Sequence, residues 1–526
     1  MTPEKAAALI PDLPIHGGGE ARPPFVTASA MLDHAAATAP DTIALRHRGT
    51  ALRYAELDRA AQAFARRLAD RVAPGDVVGF LLPNGPEFAV AFFGTLRALG
   101  APAPANPGYP APQLAALFAN AGARALVCSD RTRALAQTLA DDLGIPPPLC
   151  IDEDLPLARL AAEPPAPLGR RQPAPDDIGV LLFSGGTTGL SKAVEHSQLR
   201  LAIAARCMAY NWPTRAQGEV WLPIAPFFHI YGFMQGVVNP VYGRATAVIP
   251  ERFQPDHILD LLVRERVTVF GGGPPAIYAG LLAAEGLAQA DLAALRLCPA
   301  GGAPFPVELL ERWRRITGRE IHEGYGMTEM AAIAGVTARS GWRPGSVGKP
   351  IPCNTVQIVD IETGTRVLPP GETGEVRVRG PHMMLGYRNN PEETARTLRY
   401  GFIHTGDIGR IDADGFLFIT DRRKDVVFVK GFNVFPREVE EAIYTHPQVA
   451  AAGVVGVPDP RTGGEKLAAF VVPRAGAGLD AAAIAAHCAE HLVAYKIPAE
   501  IRIVEALPMT GAAKLDRMAL RRLAEA

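Results

Sequence analysis

Four short stretches carry residues whose types and spacing could handle a phosphorylated nucleotide. In Phe183-Ser184-Gly185-Gly186-Thr187-Thr188-Gly189-Leu190-Ser191-Lys192, glycines let main-chain N–H groups approach an anion, hydroxyls add donors, and a lysine adds a point charge. The apolar run 178–182 just before it reads as a buried strand, so the small residues begin where the backbone turns. Lys192 stands three residues past Gly189 and precedes Ala193, which separates this phosphate cradle from the P-loop, where Gly-Lys-Ser/Thr is contiguous. A Gly/Thr surface turn is the competing reading. In Gly324-Tyr325-Gly326-Met327-Thr328-Glu329 a hydroxyl and a carboxylate are neighbours. A carboxylate near phosphates is repelled unless it holds a hard cation such as Mg²⁺. The same pair also reads as a helix start, with Thr328 as cap and Glu329 in the first turn. Asp407, in Thr405-Gly406-Asp407, could accept two hydroxyl hydrogen bonds, as from a ribose. Lys514 sits in the small-residue loop Thr510-Gly511-Ala512-Ala513-Lys514.

Two further segments suit a pocket. Pro226-Phe227-Phe228-His229-Ile230-Tyr231-Gly232 joins aromatic density to one histidine, as in an apolar wall with one polar group, although a satisfied core histidine has the same appearance. Pro299-Ala300-Gly301-Gly302-Ala303-Pro304 ends an apolar run in residues small enough for a flat ring to lie against the backbone.

The elements that must hold these groups alternate. Residues 31–39, 54–71, 86–99 and 113–121 have helical spacing, while 76–82, 102–106 and 125–129 read as strands, which is the logic of a parallel sheet covered on both sides. A Pro-rich connector, 156–175, leads into the cradle, and Asp412-Ala413-Asp414-Gly415 signals a hairpin. The charged run Asp421-Arg422-Arg423-Lys424-Asp425 marks a boundary. Beyond it, helices at 436–446 and 480–492 and strands at 449–457, 466–472 and 500–504 make a small α+β domain. We therefore expect two domains, 1–421 and 422–526.

At 526 residues, 48% apolar and 20% charged, the chain can bury more than one core. Its formal net charge of -1 gives no electrostatic case for nucleic acid or an anionic membrane. Six cysteines lie far apart with no metal or redox spacing and read as core hydrophobes of a reducing compartment. Residues 1–24 lack the pattern of a signal peptide, and the apolar run 88–96 is too short to span a bilayer, so a soluble, cytoplasmic protein with no transmembrane segment is expected.

Taken together and in order, the cradle, Phe-Phe-His-Ile-Tyr-Gly, Gly-Tyr-Gly-Met-Thr-Glu, Thr-Gly-Asp, Asp-Arg-x-Lys-Asp and the terminal loop lysine resemble the motifs of the adenylate-forming enzymes. That superfamily includes acyl-CoA synthetases, peptide-synthetase adenylation domains and beetle luciferases. The sequence is most similar to the coumarate:CoA and fatty acyl-CoA ligase branch. The resemblance covers almost the whole chain. It implies a large α/β N-terminal domain of βαβ-built sheets packed with helices, with a small β-barrel-like part, and a small mobile α+β C-terminal domain. It implies ATP, Mg²⁺ and coenzyme A as reaction partners of a small carboxylic acid. Ser184, Gly185, Gly186, Thr187, Thr188 and Lys192 would cover the β- and γ-phosphates, and Gly301, Gly302, Ala303, Glu323, Gly324 and Tyr325 would hold adenine. Thr328 would touch the α-phosphate, Glu329 would bind Mg²⁺, and Asp407 and Arg422 would take the ribose. Lys514 would meet the carboxylate and α-phosphate, with His229 and Lys430 completing the catalytic set. Rotation about Lys424 would withdraw Lys514 and bring in the Lys430-Gly431 face and Asn433 to meet CoA, with Arg252 on a CoA phosphate. Arg252 also reads as a solvated arginine.

The chain departs from the family pattern at Gly185, where a hydroxyl residue is usual, at Ser191 for proline, and at Ala193 and Ala513 for glycine. Phe428 stands for a lysine and Asn433 for a glutamine of plant coumarate ligases. The acid pocket would draw on His229, Ile230, Tyr231, Gln235, Gly271 to Gly273, Gly301, Gly324, Met330, Ala331 and Ile333, with no fixed cation for a second carboxylate. An apolar aromatic or medium- to long-chain acid follows. An enzyme that loads a carrier protein in trans and an inactive nucleotide-binding homologue are the alternatives, as a monomer or homodimer.

Overall fold

The computed structural model describes the chain except residues 14–22, 153, 185–190, 214, 216, 338–339, 430–431, 460–463, 475, 511–513, 526 and the side chain of Asn433. Gly185, Gly186, Thr187, Thr188, Lys430 and Gly431 therefore lie outside the described residues. The expected alternation of helices and strands is present. Val77–Leu81, buried at every position, is the second of four parallel strands, flanked by Ala101–Pro104 and Ala123–Cys128, with Leu149–Cys150 at the edge. Burial on both faces is what a continuous apolar run provides. A second sheet orders Val269–Gly271, Val220–Pro223, Thr246–Val248 and Ile43–His47 in parallel, and Thr50–Arg53 closes it as a hairpin. Tyr54–Ala69 and Pro86–Arg97 pack into the largest core.

A third, antiparallel sheet runs through Thr355–Val359, Gly374–Arg379 and Phe402–Ile411, which also pairs with Leu417–Arg422. Its own core holds Ile358, Val376, Val378, Ile403 and Leu417. This is the barrel-like part. Arg422 is still in register with Asp407, so the sheet runs one residue past the expected boundary, into a single 3-10 turn at Arg423–Asp425. From Val427 onward the chain builds separate cores around the sheet of Val449–Asp459, Gly464–Pro473 and Glu500–Ile503, covered by Pro436–Tyr444 and Ala481–His491.

One local expectation needs correction, and two further features stand out. Thr328 and Glu329 do not start a helix: they are the two-residue link of a hairpin between His322–Met327 and Met330–Gly335. Residues 230–242 are helical but interrupted by one π-helical turn, Met234–Val238. Two cysteines far apart in sequence, Cys207 and Cys353, meet with their sulfurs 3.4 Å apart.

Two glycines allow the 230–242 segment to sit where it does. A Cβ on Gly232 would come within 2.1 Å of the Pro226 carbonyl oxygen, and one on Gly236 within 2.0 Å of the Phe227 ring. Phe227 is itself fixed edge-on to Phe88, with centroids 5.5 Å apart. Gly236→Ala should therefore lower stability by about 1–3 kcal/mol through overpacking, seen as a lower urea midpoint at unchanged slope. An unshifted midpoint would refute this packing argument.

Candidate active site

Asp407 is buried on a long strand and opposes Arg422 across the ladder. Arg422 Nε lies 3.0 Å from its Oδ1, and the Tyr325 hydroxyl donates to Oδ2 at 2.5 Å. An aspartate so held has a fixed orientation and lone pairs aimed along known directions. Tyr325 lies 82 positions before Asp407 in the sequence, and the antiparallel barrel sheet and the 322–335 hairpin bring the three residues together.

The hairpin link is anchored at both carbonyls. The His196 Nε2–H donates to the Thr328 carbonyl at 2.7 Å, and the Met384 N–H donates to the Glu329 carbonyl at 2.7 Å. Burial holds His196 down at about 4, so the ring is neutral and has the proton this bond needs. The Tyr387 hydroxyl donates to Glu329 Oε1 at 2.7 Å. Lys192 sits over the Tyr387 ring, 5.0 Å from its centre, and is 2.5 Å from Glu393. Burial pushes the Glu329 carboxyl up, against the pull of Tyr387, Arg422 and Lys192. A carboxylate desolvated in this way gains most from an added cation, so the donor set fits Mg²⁺.

Sequence reasoning missed His196, Tyr387 and Glu393. The Gly386–Tyr387 strand pairs with Val194 and Glu195 next to the cradle, almost 200 residues earlier. No local pattern announces such a contact. The residues Gly386-Tyr387-Arg388 after an apolar stretch were the only signal available.

Lys514 enters from the small domain. Its Cε lies 3.7 Å from where a Cβ on Gly302 would stand, and Gly302 has φ +83°, so a side chain there would be strained and would crowd the lysine. Burial first, then Arg422, holds the Lys514 ammonium down at about 8, while Asp407 and Glu329 pull it back up. His229 is driven to about 3 by burial and by the Lys514 charge and is neutral. Its Nδ1 accepts the Tyr231 N–H at 3.3 Å, which leaves the proton on Nε2. Gly301 pairs closely with the Gly324 segment, since a Cβ on Gly301 would meet the Gly324 carbonyl oxygen at 2.7 Å. Glu323 is buried, and its carboxyl responds to Arg437 and Glu441 of the small domain.

Of the expected pocket residues, Ile230, Tyr231 and Gln235 are buried in the helical segment that faces Gly271 and Gly273. The Tyr231 hydroxyl is already committed to the Pro299 carbonyl at 2.9 Å. Ala331 packs against the large core, but Met330 and Ile333 lie in the barrel core. Ala303 is half-buried and Arg252 is exposed. Ser184 is also partly buried, and its N–H donates to the Lys192 carbonyl at 2.9 Å, which closes the ladder across the cradle.

Residues 32–388 match the family described as AMP-binding enzyme, and residues 438–514 match the AMP-binding enzyme C-terminal domain. The chain belongs to the AMP-binding enzyme family. It is 33% identical to a long-chain-fatty-acid–CoA ligase of Bacillus subtilis over 95% of both chains. It is 34% identical to a feruloyl-CoA synthase of an Amycolatopsis species over 92% of this chain and 96% of that one. The ATP-bound structure of MatB from Rhodopseudomonas palustris is similar at a TM-score of 0.87 and 29% identity, covering 95% of this chain and 99% of that one. As an AMP-binding enzyme with these relatives, the protein is an AMP-forming acid–thiol ligase with a large N-terminal and a small C-terminal domain. Among the described residues, no helix is long and apolar enough to cross a membrane.

Two outcomes follow from this geometry. Tyr387→Phe removes the hydrogen bond that orients Glu329; a bond to a charged group contributes about 1.5 kcal/mol, so the KM for Mg-ATP should rise about tenfold in an ATP titration of pyrophosphate release. An unchanged KM would separate Tyr387 from the metal-binding arrangement. The ammonium form of Lys514 predominates below about pH 8, so a kcat/KM for adenylation that depends on it should be flat below pH 8 and fall as pH rises through about 8. In Lys514→Arg, whose guanidinium stays charged, any residual activity should lack that limb.

Proposed function

We propose that the protein is an ATP-dependent carboxylic acid:CoA ligase working in two steps. In the first, a carboxylate oxygen attacks the α-phosphorus of ATP and the α–β phosphoanhydride bond breaks, giving acyl-adenylate and pyrophosphate. In the second, the thiol sulfur of coenzyme A attacks the acyl carbon, the thiol proton is lost and AMP leaves. The observation that carries this reading is the burial of Lys514, from the small domain, beside Gly302 and within electrostatic reach of Glu329, Asp407 and Arg422 of the large one. Negative charge crowds at the α-phosphate as the mixed anhydride forms, and a cation fixed there in advance lowers that barrier without covalent participation.

Each residue has a task consistent with its surroundings. Asp407, oriented by Tyr325 and Arg422, would take the ribose hydroxyls, and Tyr325 with Gly301 and Gly324 would hold the adenine. Glu329 would hold Mg²⁺, which supplies charge neutralisation to the phosphates. Neutral His229 offers an Nε2–H donor without adding positive charge to the acid pocket. Lys192, with Ser184 and the remainder of the cradle, covers the outgoing pyrophosphate.

The pocket narrows the acid. Gln235 is fully buried on the π-helical turn, and neither its amide oxygen nor its nitrogen has a hydrogen-bonding partner among the described residues. Leaving both unpaired costs about 1–3 kcal/mol per group, so an acid with a polar substituent opposite Gln235 is favoured over a plain alkyl chain. The rest of the wall, with Ile230, Tyr231 and glycines, is apolar. An aromatic acid bearing a hydroxyl or ether fits this wall better than a fatty acid.

The deciding experiment is pyrophosphate release from Mg-ATP with cinnamic, 4-hydroxycinnamic, benzoic and hexanoic to palmitic acids, each with and without CoA. We expect multiple turnovers only with CoA, and faster with 4-hydroxycinnamic than with cinnamic acid. A single burst that CoA cannot relieve would assign the acyl group to a carrier protein, and no release with any acid would leave only a nucleotide-binding homologue. Lys424 lies at the junction of the two domains, so Lys424→Pro should slow thioester formation while sparing adenylate formation. Equal slowing of both halves would remove the hinge.

A further inference from the structure

The small domain carries a cluster of ligating side chains that the reaction does not use. On the helix Ala481–His491, His487 and His491 are four residues apart with Glu490 between them, the spacing that puts two imidazoles and a carboxylate on one helical face. One ligand atom from each of His487, Glu490 and His491 lies within 4.8 Å of those of the other two. The His487 and His491 rings are 4.3 Å apart between centroids, tilted by 36°.

Both rings are held by their other nitrogen. His491 Nδ1–H donates to the His487 carbonyl at 2.8 Å. His487 Nε2–H donates to the Ala442 carbonyl at 3.1 Å and lies 2.7 Å from the Thr445 hydroxyl oxygen, at the end of the neighbouring helix Pro436–Tyr444. Each ring therefore keeps one lone-pair nitrogen while its orientation is set from behind, the second set of contacts that metal-bound histidines require. His446 packs edge-on against His487 at 5.1 Å, but its Nδ1 accepts the Gln448 N–H at 3.3 Å, so it braces the cluster instead of joining the ligands.

We propose that His487, Glu490 and His491 form a surface site for a divalent ion of borderline softness, Zn²⁺ in particular. Two imidazoles and one carboxylate are the donor types zinc accepts, and the fourth position is left to water. Tetrahedral bonds of about 2.0–2.1 Å place ligand atoms roughly 3.3 Å apart, so the site closes by at most about 1.5 Å on binding. Glu490 and His491 are exposed and free to make that movement. Mg²⁺, which prefers oxygen, is excluded by the nitrogen donors, so this site and the nucleotide site take different ions. All three ligands span one helical turn, so the bound ion pins the last turn of the helix against the Ala442–Thr445 corner.

Equilibrium dialysis of the full chain against Zn²⁺, without nucleotide, tests this. We expect one equivalent bound, with affinity reduced at least about tenfold in both His487→Ala and His491→Ala. Cu²⁺ used as a spectroscopic probe should show hyperfine coupling to two nitrogens, reduced to one in each variant. Zinc should also slow amide exchange over residues 487–491. Both variants are distant from the nucleotide residues and should keep the wild-type rate of pyrophosphate release in metal-buffered Mg²⁺, which shows that they fold. Zinc uptake equal in wild type and both variants, or no uptake by wild type, would overturn the site.

Discussion

A lysine ammonium brought into a partly desolvated cleft is the interaction on which the remainder depends. Burial holds the Lys514 pKa near 8, against an ordinary value of 10.5, even with Asp407 and Glu329 close by. That difference corresponds to about 3 kcal/mol against the charged form. A group whose folded-state value is depressed in this way makes the closed arrangement costly while it is protonated, at pH below 8. In the proposed reaction, ATP phosphates would reverse the balance by adding negative charge beside Lys514, which would couple closure of the small domain to the nucleotide through one side chain.

Polar contacts join the small domain to the large one. Arg437 donates its N–H to Asp421 at 3.0 Å and a guanidinium N–H to the Phe305 carbonyl at 3.2 Å, and Arg474 pairs with Glu308 at 3.0 Å. Burial raises the Glu323 carboxyl to about 8, with Arg437 opposing and Glu441 reinforcing the shift. Each domain holds its own apolar core. Inside the large domain, Tyr325 and Arg422 fix Asp407, Tyr387 fixes the Glu329 carboxylate, and His196 anchors the Thr328 carbonyl beside it.

Local patterns in the sequence were enough for the alternation of the first sheet, the hairpin at 412–415, the separate small domain and the order of the nucleotide motifs, since each depends on periodicity or turn chemistry within a few residues. They failed where long-range pairing decides. Thr328-Glu329 has the composition of a helix start, yet the antiparallel pairing of 322–327 with 330–335 makes it a hairpin link. Met330 and Ile333 follow directly on the Gly-Tyr-Gly-Met-Thr-Glu motif, but they are part of the barrel core. Tyr387 supports Glu329 only because its two-residue strand reaches Val194 and Glu195. Gln235 was legible as a pocket residue, but its unpaired amide depends on the π-helical turn and on its burial.

The most direct test of the central claim separates the two half-reactions in Lys514→Ala. Rapid-quench measurement should show acyl-adenylate forming from ATP and acid on the order of 10²- to 10³-fold more slowly than in the wild type. Acyl-adenylate supplied ready-made should still be converted to acyl-CoA at the wild-type rate, because the lysine has no part in thiol attack. Equal slowing of both halves, or adenylate formation at the wild-type rate, would contradict the account.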